Sequence, residues 1–239
     1  MAASETGLWC VVPAAGRGRR FDADRPKQHI GIAGKSLLTW TLERLAAHPR
    51  IAGFVVVLAA DDPLAHARIG IFGKPALTVI GGAERADSVL AGLRGLPDTV
   101  ADAAFVLVHD AARPCVRHAD IDALIDRGMP AGGGLLAAPV RDTLKRADAN
   151  GFVLETEPRE ARWRAMTPQM FRRAELTAAL ESARRDGVIV SDEAMAMERA
   201  AFKPLLVECS DDNIKVTTPA DYFLVEYFLL RDSKSKDGK

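Results

Sequence analysis

Residues Val11 to Gln28 read VVPAAGRGRRFDADRPKQ. The apolar run Leu8–Val12 that leads into them suits a buried strand, and it breaks at once into small residues, clustered arginines and then Pro26-Lys27-Gln28. Small residues let backbone N–H groups approach an anion closely, and Arg20 and Lys27 add mobile positive charge around it. A solvated basic loop is the bland alternative, but such a loop does not normally start from a buried first strand. The stretch therefore predicts a phosphate-binding loop at the end of a strand, with charge enough for a triphosphate.

Outward from this loop, apolar runs recur at Leu8–Val12, Gly53–Leu58, Leu77–Ile80, Phe105–Val108 and Leu135–Ala138. Helical patterns fall between them at Ser36–Ala47, Pro63–Gly70, Arg85–Arg94 and Asp120–Arg127. Near-continuous apolar strands alternating with helices predict an α/β fold, with a mostly parallel sheet covered by helices on both faces. Ligands of such sheets sit beyond the carboxyl ends of the strands. The loops after the first, third, fourth and fifth runs are where the unusual residues cluster.

Thr143 to Glu157 departs from this pattern. Asn150-Gly151 is a strong hairpin signal, and a two-residue turn there sets Arg146 opposite Glu155. The flanking segments are too polar for core strands, so an arm, about residues 141–159, is expected to project from the sheet. An isolated hairpin is marginal in water and needs a partner surface. Its own domain is one candidate; a second subunit is the sharper one. Helices at Arg173–Arg185 and Asp192–Ala200, a strand near Leu205–Glu208 and a last helix at Pro219–Leu230 follow. No repeat or linker divides residues 1–231, which read as a single domain, and the polar tail 232–239 is expected to fray.

With 239 residues the chain can bury a substantial core. Its 32 basic and 32 acidic residues cancel, so no global field favours nucleic acid or an anionic membrane. Phosphate affinity must come from local clusters. Cys10, Cys115 and Cys209 are scattered, without CxxC or metal-ligand spacing, which suits a reducing compartment. The MAASETG start lacks a basic, apolar leader, and no apolar run approaches a membrane span. A soluble, cytoplasmic protein is expected.

Two tempting motifs fail. Gly31-Ile-Ala-Gly-Lys-Ser36 resembles the end of a P-loop, but His29 stands where the first glycine is required. Gly16-Arg-Gly18 lacks the third glycine of a dinucleotide fingerprint, which falls at Phe21. Gly81-Gly82-Ala-Glu-Arg-Ala-Asp-Ser88 follows the third strand. Its glycines admit a ring or phosphate edge-on, and Ser88 falls in the first turn of a helix whose N-terminus suits anions. Past the fourth strand, in Val108-His-Asp110-Ala-Ala-Arg113-Pro, Asp110 is placed to hold Mg²⁺ together with phosphate oxygens. It reads equally as a turn cap paired with Arg113, and His109 needs no function. Thr167-Pro168-Gln169, Ser191-Asp192-Glu193 and Asp212-Asn-Ile-Lys215 complete the polar set. Ser191 or Asp192 can cap a helix, whereas Lys215 lies between Ile214 and Val216, neighbours expected to be buried.

Together PAAGRGRR, PKQ, GGAERADSV, LVHDAARP, APVRDTLKR, TPQ, SDEA and DNIKVT resemble, in order and over nearly the whole chain, the 2-C-methyl-D-erythritol 4-phosphate cytidylyltransferase family of non-mevalonate isoprenoid biosynthesis. The resemblance implies a Rossmann-like nucleotidyltransferase fold and a homodimer built through the hairpin arm. It also implies a Mg²⁺-dependent reaction of CTP with 2-C-methyl-D-erythritol 4-phosphate that releases pyrophosphate. Arg20 and Lys27 match the family's transition-state stabilisers. Ala14, Ala15, Gly16, Gly82 and Ser88 match its CTP contacts, and Asp110 its metal-site aspartate. Arg159 and Lys215 match the residues that position the acceptor, with Thr143 and Arg113 nearby. Some relatives are fused to the cyclodiphosphate synthase of the same pathway; this chain reads as monofunctional. The rivals are a ribitol 5-phosphate cytidylyltransferase, which shares the CTP half of the motifs, and a non-catalytic nucleotide-binding module. APVRDTLKR and the Arg159 region favour the methylerythritol acceptor.

Overall fold

A computed structural model describes residues 7–16, 27–65 and 69–237. The strands are β1 (Leu8–Pro13), β2 (Gly31–Ile32), β3 (Lys35–Ser36), β4 (Ile51–Leu58), β5 (Ile69–Ile71), β6 (Lys74–Ile80), β7 (Phe105–Val108), β8 (Gly134–Pro139), β9 (Leu144–Ala147), β10 (Val153–Glu157), β11 (Trp163–Arg172) and β12 (Leu205–Glu208). The helices are α1 (Leu37–Ala46), α2 (Arg85–Arg94), α3 (His118–Gly128), α4 (Arg173–Arg185), α5 (Glu193–Arg199) and α6 (Pro219–Asp237).

Eight strands form one sheet in the order β12-β8-β11-β7-β1-β4-β6-β5. All pairs are parallel except those made by β11 and β5. The central strands are apolar throughout because each must fill both layers. Cys10, Val12, Phe54, Val56 and Leu107 enter the core beneath α1 and α3, while Val11, Val55, Val57, Val106 and Val108 face α2 and α4. A third cluster joins α6 to the start of α1 through Ile32, Leu37, Cys115, Val225 and Leu229. The chain leaves β1 for β4 on one side and later returns to β7 on the other. That reversal opens a crevice at the carboxyl ends of β1 and β7, the place where open α/β sheets generally bind their ligands.

Three sequence expectations change. Pro63–Gly70 is not a helix among the described residues: Pro63–Ala65 is a turn, and Ile69–Ile71 forms an antiparallel edge strand on β6. Strand β11 was hidden by Pro168, which has no N–H for a central ladder. The strand tolerates it because the pairing with β8 shifts register between Ala165 and Gln169. Lastly, α6 runs on to Asp237, well beyond Leu230.

The arm is a hairpin of β9 and β10, and Arg146 Nε donates to Glu155 Oε1 at 2.7 Å. Its turn is one residue longer than the two-residue form. The Asp148 N–H donates to the Phe152 carbonyl, Gly151 takes a φ of 87°, and the register slips between Val153 and Glu155. A three-residue turn with a bulge thus recovers the Arg146–Glu155 pair. Phe152, Val153 and Leu154 are exposed at its tip.

Candidate active site

The loops after β1, β6 and β7 meet around a cavity of about 180 Å³. Ala14, Ala15, Gly16, Gln28, Gly82, Ser88, Asp110 and Lys215 line it, together with Glu84 and Arg85. Most of the predicted nucleotide positions are therefore brought together with Asp110 and Lys215. An open cleft, sharing Ala15, Gly16 and Gly82, continues past Asp61 and Ile80. The loops touch so closely that side chains are excluded. A Cβ on Gly81 would lie 2.6 Å from the Ala15 Cβ and 2.7 Å from Ser88 Oγ, and one on Gly82 would lie 2.3 Å from the Asp87 Cβ.

The start of α2 differs from the anion site its glycines suggest. The Glu84 N–H donates to Asp87 Oδ2 at 3.4 Å, so two carboxylates cap this helix. Their negative charge opposes this helix N-terminus as an anion site. Arg20 lies outside the described residues. Lys27 begins a 3-10 turn, Lys27–His29, and its backbone alone is described.

Asp110 is the electrostatic centre. Arg85 Nε donates to its Oδ1 at 3.1 Å, Lys215 Nζ lies 2.7 Å from Oδ2, and Arg113 Nε lies 3.7 Å from Oδ2. Burial alone would raise the Asp110 pKa, but Arg85, Lys215 and Arg113 hold it well below the usual carboxylate range. Arg113 also donates to the Asn213 carbonyl at 2.6 Å, which ties the β7 loop to the loop that carries Lys215. The Asp110 backbone carbonyl closes a turn by accepting from the Arg113 N–H, and the residue also lines the cavity.

The TPQ segment acts from behind. Thr167 Oγ1 accepts from the Asp110 N–H at 3.0 Å and lies 3.0 Å from His109 Nδ1. His109 Nε2 faces the Arg113 carbonyl at 2.9 Å, so it carries the proton and Nδ1 accepts from Thr167. Burial pushes the His109 pKa down to about 4, against the pull of that carbonyl and of Asp110. The folded state thus prefers neutral His109, and its contribution to stability is complete above the unfolded pKa near 6.5. It is lost as pH falls from there toward about 4, at about 1.4 kcal/mol per pH unit. Urea unfolding between pH 7.5 and 4 should therefore slope less steeply for His109→Gln than for wild type. Parallel slopes would remove His109 as the acid-sensitive element.

Thr143 and Arg159 stay apart from this group. Both are exposed on the arm, and Arg159 Nη1 donates to the Arg141 carbonyl at 2.6 Å. Neither lines this cavity. Sequence reading missed Arg85, Gln28 and Glu193 as site residues. Arg85 and Glu193 sit inside quoted motifs, but an ion pair 108 residues apart leaves no local signature.

Among the described residues no group of three or more His, Cys, Asp or Glu is placed to hold a metal ion. Asp110 offers one carboxylate, with Lys215 and Arg85 already on it. This donor set fits a hard cation that arrives largely coordinated by nucleotide phosphates, and does not fit a permanent all-protein site.

The family model described as 2-C-methyl-D-erythritol 4-phosphate cytidylyltransferase (IspD) matches residues 8–231. The chain belongs to this family. A Stenotrophomonas maltophilia protein of that name is 56% identical over 225 residues, covering 94% of this chain and 97% of its own. The namesake from Xylella fastidiosa is 51% identical over 226 residues, covering 94% and 98%. Among solved structures, that of the Francisella tularensis cytidylyltransferase superposes with a TM-score of 0.80 at 30% identity, covering 93% of this chain and all of that one. The Thermus thermophilus structure gives 0.76 at 32% identity, covering 93% and 98%. The Rossmann-like, mostly parallel α/β architecture is thus shared across the family. No described helix is long and apolar enough to cross a membrane.

Proposed function

We propose that this chain transfers a cytidylyl group from CTP to 2-C-methyl-D-erythritol 4-phosphate, forming 4-diphosphocytidyl-2-C-methyl-D-erythritol and pyrophosphate. The observation that carries this reading is the cavity where the glycine-lined nucleotide loops meet the Asp110–Lys215 pair. The acceptor phosphate already bears a nucleophilic oxygen, so no general base is needed. The difficulty is electrostatic, because one anion must attack the α-phosphorus of another. Catalysis reduces to in-line positioning and charge neutralisation. Arg20 and Lys27 neutralise charge growing on the α-phosphate and on the departing pyrophosphate. Lys215 leaves Asp110 to meet the acceptor phosphate, together with Arg159. Asp110 would hold a Mg²⁺ accompanying CTP, and the ion would supply further charge neutralisation on the phosphates.

The arm carries Arg159 and Thr143 away from their own cavity, so we assign them to the acceptor site of a second copy in a homodimer. Cys10, Cys115 and Cys209 are buried thiols, which suits a cytoplasmic setting. Pyrophosphate release from CTP and Mg²⁺ with methylerythritol phosphate, but not with ribitol 5-phosphate, is the expected result. Release with ribitol 5-phosphate alone would transfer the assignment to that acceptor. CTP binding without release on either would leave a binding module.

The nucleotide side has its own test. Gly82→Ala forces a methyl against Asp87. The loop must shift to relieve that contact, so the CTP KM should rise while the acceptor KM changes little. An unchanged CTP KM would place the nucleotide elsewhere.

A further inference from the structure

Glu193 opens α5 and is fully buried, a position a carboxylate occupies only when paired. Both of its oxygens are spent on one guanidinium: Arg85 Nη1 donates to Oε1 at 2.6 Å and Nη2 to Oε2 at 3.1 Å. The same guanidinium turns its Nε–Nη2 edge to Asp110 Oδ1, with Nε at 3.1 Å and Nη2 at 3.0 Å, and Asp110 Oδ2 holds the Lys215 ammonium. Alternating charges from α5, α2, the β7 loop and the loop after β12 thus run from the buried interior to the cavity. The inner end is fixed. Gln169 on β11 accepts from the Ala194 N–H at 2.7 Å and donates to Asp192 at 3.0 Å.

We propose that Glu193 is a positioning residue for cytidylyl transfer, acting through Arg85 and Asp110 to set where Lys215 waits for the acceptor phosphate. With Glu193 holding both Nη groups, the Arg85 guanidinium reaches only Oδ1 of Asp110, and Oδ2 stays available to Lys215. Without its charge, Arg85 swings its fork onto both Asp110 oxygens, the bidentate geometry that guanidinium favours. Lys215 then loses its seat. The inference rests on Lys215 as the holder of the acceptor phosphate, and it adds a remote carboxylate that touches neither substrate.

The test is steady-state kinetics in both substrates for Glu193→Gln, Glu193→Asp, Lys215→Met and the Glu193→Gln/Lys215→Met double variant, with thermal unfolding to confirm folding. Misplacing a positioning group by about 1 Å costs up to about 10²-fold. Glu193→Gln should accordingly lower kcat/KM for the acceptor by about 10- to 100-fold with the CTP KM close to wild type. Glu193→Asp, which keeps the charge, should recover much of that loss. The double variant should be no worse than Lys215→Met alone, because the carboxylate acts through the lysine. Additive losses, or a Glu193→Gln defect confined to the CTP KM, would overturn the relay. If Lys215→Met leaves the acceptor kinetics unchanged, the reading of Lys215 fails and the relay falls with it. Should Glu193→Gln not fold, the Glu193→Asp and Lys215→Met arms decide: a Glu193→Asp loss that persists at full size in the Lys215→Met background overturns the relay.

Discussion

Mixing two inactive variants, Lys27→Ala and Arg159→Ala, should restore activity. Arg159 is exposed on the arm, bonded to the Arg141 carbonyl, and does not line the cavity that holds Lys215 of its own chain. The arm also ends in exposed Phe152, Val153 and Leu154, apolar surface that a second subunit can cover. A self-complementary exchange closes with two copies. In a mixed dimer with shared sites, one site carries both lesions and the other carries neither. Random exchange of an equimolar mixture makes about half of the dimers mixed. The mixture should therefore regain about a quarter of wild-type activity, a consequence of twofold geometry. If Arg159 serves its own subunit, every site keeps one lesion. Background activity after subunit exchange has been verified would end the shared-site proposal and leave the nucleotide assignment standing.

Asp110→Asn should lower kcat/KM by about 10²–10³, the scale of losing one preorganised electrostatic contact. The substitution keeps size and one acceptor but removes the charge on which Arg85, Lys215 and Arg113 converge. The fold should survive the substitution. Arg85 keeps Glu193, and the half-buried Lys215 can turn to solvent, so about 1–3 kcal/mol is expected. The wild-type contribution has a definite sign. The folded pKa of Asp110 lies below its unfolded value, so its stabilisation is present above the unfolded pKa near 3.8 and is lost as pH falls below it. Thermal unfolding at pH 7 and a Mg²⁺ titration of turnover separate the two roles. A variant with wild-type kcat and Mg²⁺ response would leave Asp110 as a purely structural tie between loops.

Local chemistry made much of this molecule legible before any coordinates. Apolar strands broken by glycine-rich or basic loops need only neighbouring residues to declare themselves, and so β1, β4, β7 and β8 and the loops beyond them could be read directly. The hairpin was visible for the same reason, because Asn150-Gly151 and the Arg146–Glu155 pair are local. Other features depended on partners far along the chain. Strand β11 was obscured because Pro168 contradicts a central strand until a register shift accommodates it. Pro63–Gly70 carries a helix-like pattern, yet Ile69–Ile71 pairs with β6, and tertiary pairing overrides propensity. The anion-binding promise of the α2 start was withdrawn by the carboxylates that cap it.

The sequence alone determined the fold class, the loops that line the cavity and the family, since each rests on residue types at short spacing. Tertiary structure alone decided how the charges are shared. Asp110, Arg85, Lys215 and Glu193 come from four separated segments, and their order as a relay depends on distances near 3 Å that no sequence spacing encodes. Charge–charge coupling decays with separation in space and is indifferent to separation along the chain. That is why the motifs named Asp110 and Lys215, while only the folded chain showed that Arg85 and Glu193 are joined to them.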